Sequence, residues 1–74
     1  MSYKFNIIIE KDDNGYFAYI PQLKGCMTQG DTYEEVMKNI KEAAELYLEV
    51  LTDEEKKAVL GKEVLTTQLE VDVV

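Results

Sequence analysis

The sequence predicts a two-layer α+β domain in the order β-β-β-α-β, with one long helix on one face of the sheet. Three observations carry this expectation. Residues 3–9 carry apolar residues at every second position, residues 12–15 form a turn cluster, and apolar residues recur at three- and four-residue steps between Val36 and Leu51. At 74 residues the chain has room for one domain, spanning positions 1–74, with no repeat or linker inside it.

Tyr3, Phe5, Ile7 and Ile9 alternate with Lys4, Asn6, Ile8 and Glu10, so the first strand has one clearly apolar face. Asp12-Asp13-Asn14-Gly15 then supplies the positive φ that a tight hairpin demands, an expectation placed on Asn14 and Gly15. Tyr16 to Ile20 is aromatic and β-branched and reads as the returning strand. Pro21 ends it, because proline has no N–H for an interior ladder. Residues 21–25 form a connecting loop, and Cys26 to Gln29 is a short third strand before Gly30.

Asp31-Thr32 opens the long helix. Thr32 with Glu35 fits a capping box, and the acids Glu34 and Glu35 suit the positive end of the helix dipole. Val36, Ile40, Ala43, Ala44, Tyr47 and Leu51 make its buried stripe. Thr52 with Glu55 repeats the capping pattern and introduces a short helical turn through Leu60, which Gly61 is expected to end in the left-handed conformation. In a final strand Leu69, Val71 and Val73 alternate with Gln68, Glu70 and Asp72, giving an apolar inner row and an acidic outer row. If that strand joins the edge of the first, it runs parallel to the third, and the helix makes the usual right-handed crossover.

Absent residue types remove whole classes of chemistry. The chain has no His, no Trp and no Arg, so a nucleophilic triad lacks its base, and a structural zinc site lacks both imidazole and a second thiol. No catalytic residue, metal ligand or cofactor site is expected. Cys26 stands alone and reads as a small strand residue. With no export signal, a cytoplasmic location is expected. The longest apolar runs fall far short of the ~20 residues that a membrane span needs.

The formal net charge is −7 and is concentrated in the C-terminal half. Direct binding to nucleic acid is therefore not expected, since it requires clustered cations to neutralise phosphates. A field of this sign favours a basic partner, although solubility alone accounts for many acidic domains. Glu70, Asp72 and the acidic helix face are the expected partner-binding groups.

The returning strand carries large apolar residues on both sides: Tyr16, Ala18 and Ile20 on one, Phe17 and Tyr19 on the other. One helix covers only one face. Ile8, Phe17 and Tyr19 are thus expected to form a self-association surface, giving a dimer or tetramer. The competing expectation is that the short C-terminal helix folds over that face. Covering ~400 Å² of such surface corresponds to roughly 10 kcal/mol at ~25 cal/mol/Å², before association costs.

Together the residues spell a longer pattern. Gly15-Tyr16-Phe17-Ala18-Tyr19-Ile20-Pro21-Gln22-Leu23-Lys24-Gly25-Cys26 is followed by Gly30-Asp31-Thr32, Glu34-Glu35, Asn39-Ile40 and Glu42-Ala43. The chain resembles the HicB-like antitoxin family over nearly its whole length. The resemblance implies a truncated RNase H-like sheet with helix, and a domain that neutralises a small basic HicA-type toxin, a ribonuclease that cuts messenger RNA. Full-length members usually add a C-terminal DNA-binding module, which this sequence does not contain, so operon repression does not carry over. Short members also include orphans without a toxin, which leaves a stand-alone oligomeric binding domain as the alternative.

Within the pattern, Gly15, Pro21, Gly25, Gly30, Asp31 and Thr32 look like determinants of the backbone. An enzymatic reading would enlist Glu10, Asp12, Asp13 and Asp31 for two-metal phosphodiester cleavage. Turn formation at Asp12 and Asp13, helix initiation at Asp31 and the solvent side of the first strand at Glu10 account for these acids better.

Overall fold

The computed structural model describes residues 3–74. Strands β1 (Ile8–Asp12), β2 (Gly15–Tyr19) and β3 (Met27–Gly30) form an antiparallel sheet in the order β1-β2-β3. Helices α1 (Tyr33–Glu49) and α2 (Asp53–Leu60) follow. The α+β class holds, with α1 packed over β2 and β3.

Ile9 pairs with Ala18 and Ile8 with Tyr19. The register therefore sends Ile9, Ala18 and Ile20 toward α1, and Ile8, Phe17 and Tyr19 to the opposite face. The core consists of Ala18, Ile20, Leu23, Cys26, Val36 and Ile40, all buried. Leu23 reaches it from a loop that closes on itself: Ile20 N–H donates to the Cys26 carbonyl at 3.2 Å, and Cys26 N–H to the Leu23 carbonyl at 2.9 Å. Pro21 sits at this loop's first position, where no ladder donor is needed.

Three glycines carry distinct constraints. Gly15 has φ +125 and Gly25 φ +84, values that L side chains rarely adopt. Gly30 has no such φ, but a Cβ there would lie 2.7 Å from the Val36 backbone nitrogen, so the close approach of β3 to α1 requires its missing side chain.

Thr32 caps α1, its hydroxyl accepting from Glu35 N–H at 3.1 Å. Thr52 and Glu55 form a full reciprocal capping box on α2. Glu55 N–H donates to the Thr52 hydroxyl at 3.1 Å, and Thr52 N–H to the Glu55 carboxylate at 2.8 Å.

Several expectations require correction. The fourth strand is not formed: residues 62–74 belong to no ladder, and Leu69, Val71 and Val73 are 85%, 68% and 93% exposed. Alternation gives a segment the capacity to be a strand, but the ladder itself needs an edge, and residues 68–73 meet none. The first strand begins at Ile8 rather than Tyr3 for the same reason, since residues 3–7 extend beyond the end of β2. In the hairpin the positive φ falls on Gly15 alone, while Asn14 keeps a negative φ and its N–H donates to the Asp12 carboxylate at 2.8 Å. Gly61 ends α2 with φ −80, right-handed rather than left-handed, its N–H donating to the Lys57 carbonyl at 3.0 Å.

Candidate docking surfaces

The face of the sheet away from α1 carries Ile8, Phe17 and Tyr19, each half-buried, with Met27 54% exposed. The Phe17 and Tyr19 rings lie 6.0 Å apart and tilted, so the two aromatics partly shield each other. None of the three packs against the core cluster, whereas Phe5, Ile7 and Ile9 of the other register do. Helix α2 reaches that same core through Val59.

Glu70 and Asp72 lie on the exposed C-terminal arm. A separate hollow of about 600 Å³ at the hairpin end brings Glu10, Asp12, Asp31 and Glu35 together with Gln29. Asp13 lies outside it, in the turn. Among the described residues no three His, Cys, Asp or Glu side chains form a metal-ligand group. Gly15 and Gly30 border the hollow, whereas Pro21 and Gly25 shape the loop at the far end of the sheet.

Cys26 is buried, and desolvation holds its thiol above the ordinary range, which disfavours the thiolate needed for nucleophilic attack. Among the described residues, no helix is long and apolar enough to cross a membrane.

One surface escapes the sequence reading. A groove of about 1170 Å³ runs between residues 3–7 and α1, with a floor that includes Phe5, Ile7, Met37, Ile40, Ala44 and Leu48. The signal was present in Met37 and Leu48, which flank Ile40 and Ala44 of the stripe read from the sequence and widen it to one side.

The family model for the HicB-like antitoxin of bacterial toxin–antitoxin systems matches residues 5–72. The chain belongs to the HicB-like antitoxin family. Among relatives of this HicB-like chain, a UPF0150 protein from Archaeoglobus fulgidus is 46% identical over 63 residues, covering 84% of this chain and 91% of that protein. A UPF0150 protein from Synechocystis is 53% identical over 53 residues, 70% of this chain and 67% of that one. A third, from Helicobacter pylori, is 67% identical over 43 residues, 58% of this chain; the match spans 60% of that relative's length. No solved structure matches the HicB-like chain.

Proposed function

We propose that this chain is an antitoxin that binds and neutralises a small basic HicA-type toxin, an mRNA-cleaving ribonuclease, by protein–protein docking. The observation that carries this reading is the family match over residues 5–72. The physics supports it: a net charge of −7 on a small domain attracts a cationic, RNA-binding surface and can stand in for phosphate charge there. Glu70 and Asp72, exposed on the arm, add to the acidic face of α1 as the steering groups.

In this reading the chain works in the cytoplasm by occupying the toxin. It catalyses no reaction, takes no cofactor and does not contact nucleic acid itself. Its sheet and helix correspond to a truncated RNase H-like unit. Self-association through Ile8, Phe17 and Tyr19 forms a dimer or tetramer, and the uncovered aromatic pair on the open face supports it. That same face favours the alternative of an orphan oligomeric binding domain with no toxin.

Co-expression separates the two. A small, basic, His-containing toxin encoded beside this gene should arrest growth alone and lose its toxicity when this chain is produced with it. Unrelieved arrest at matched expression rejects the antitoxin reading and leaves the oligomeric domain.

A further inference from the structure

We infer that the C-terminal arm, residues 65–74, is an exchanged strand that seats in the groove between residues 3–7 and α1 of a second copy. The inference extends the self-association reading to a surface distinct from the open sheet face.

The arm's apolar row is exposed and its sequence alternates as a strand does. The molecule measures 48 × 28 × 18 Å with a radius of gyration of 14.4 Å, against about 11 Å for a compact chain of this length. The fold is thus drawn out rather than closed on itself. The groove has the complementary character. Its floor is aliphatic and aromatic, and its strand-side wall, residues 3–7, lies outside the sheet ladder.

Charge points the same way. Lys4, Lys38 and Lys41 line the groove with Glu45, so it gathers three of the eight lysines of an acidic chain. Such a site suits a segment whose inner row is apolar and whose outer row is acidic. Leu69, Val71 and Val73 fit the floor. Glu70 and Asp72 remain at the surface, close enough to the rim lysines to be partly offset.

The chain's own arm is poorly placed to fill its own groove. Asn6, in the groove wall, donates from Nδ2 to the Val64 carbonyl at 2.9 Å, so the backbone already passes the groove at Val64. Leu69 lies five residues further on, roughly 17 Å along an extended chain, whereas the wall extends only three residues beyond Asn6 to Tyr3. A return would need a reversal, and residues 62–74 contain no Gly, Pro or Asn to make it. Reciprocal exchange about a two-fold axis satisfies both copies at once and closes the assembly.

The test mixes an unlabelled full-length chain carrying Val71→Cys with an isotope-labelled one carrying Ala44→Cys, under mild oxidation. The expected result is a V71C–A44C disulfide joining labelled to unlabelled chains, seen as a two-chain mass that reduction abolishes and that Val73→Asp on the arm-bearing chain greatly reduces. An intrachain disulfide in the V71C/A44C double variant without the mixed species overturns the inference, as does the absence of both linkages. Repeating the mixture with Phe17→Asp separates the two surfaces. A persistent mixed disulfide with an unchanged native mass rejects the open-face contact and keeps the exchange. A lowered native mass without any mixed disulfide keeps the open face and rejects the exchange.

Discussion

Gly30 shows how much of this fold is decided by a single missing atom. Its Cβ position lies 2.7 Å from backbone nitrogen of Val36, a neighbour that cannot rotate away. Gly30→Ala is therefore expected to cost about 1–3 kcal/mol by overpacking. Gly25 has φ +84 but open space around it, so Gly25→Ala carries only the left-handed penalty of roughly 1–2 kcal/mol. Urea denaturation checks both losses, and a Gly30→Ala variant as stable as the parent contradicts the close approach of β3 to α1. Cys26 makes a second residue-scale prediction. With its thiol buried and pushed up by desolvation, it should react with a thiol reagent only as fast as the protein opens, and fast labelling under native conditions would show the core to be looser than described.

At the scale of elements, the α2 capping box makes stability depend on acid. The Thr52 backbone N–H, then its side chain, holds the Glu55 carboxyl below its ordinary value. A depressed folded value means that the stabilisation is complete above the ordinary Glu range and disappears as pH falls through the lower folded value. Carbon NMR of Glu55 should show a midpoint below the usual carboxylate range, with the Thr52 amide shifting in step. An ordinary midpoint removes the box as the cause. The α2 capping box, the Thr32 cap, the hairpin and the α1 stripe from Val36 to Tyr47 were legible from residue type and spacing, because each depends on neighbours a few positions apart; Thr32 makes only the Glu35 N–H half of the expected box, and Leu51 falls beyond the end of α1. The strand limits and the arm were not. Whether residues 3–7 and 68–73 become strands depends on an edge to pair with, and period-two alternation encodes a face rather than a neighbour. The site residues divide in the same way. Alternation placed Ile8, Phe17 and Tyr19 on one face, but the groove at Met37, Ala44 and Leu48 depended on where residues 3–7 lie against α1.

For the whole molecule, the uncovered sheet face and the acidic field are the two features on which the proposed docking rests. Phe17→Asp or Tyr19→Asp should lower the mass measured by light scattering while circular dichroism stays unchanged, since both side chains lie outside the core cluster. Unchanged mass in both variants rejects that face as an interface. Reversing Glu70 and Asp72 to Lys should slow association with a basic toxin at low salt and matter little at high salt, where charges farther apart than roughly 3 Å are screened. Equal rates at low salt would remove the steering role. The central claim, that this chain silences a toxin by binding it, is tested most directly by titrating purified chain into an RNA-cleavage assay run by the cognate HicA-type toxin. Cleavage should fall in proportion and stop at a fixed stoichiometric ratio. Undiminished cleavage at excess chain, or RNA hydrolysis by this chain alone, would contradict it.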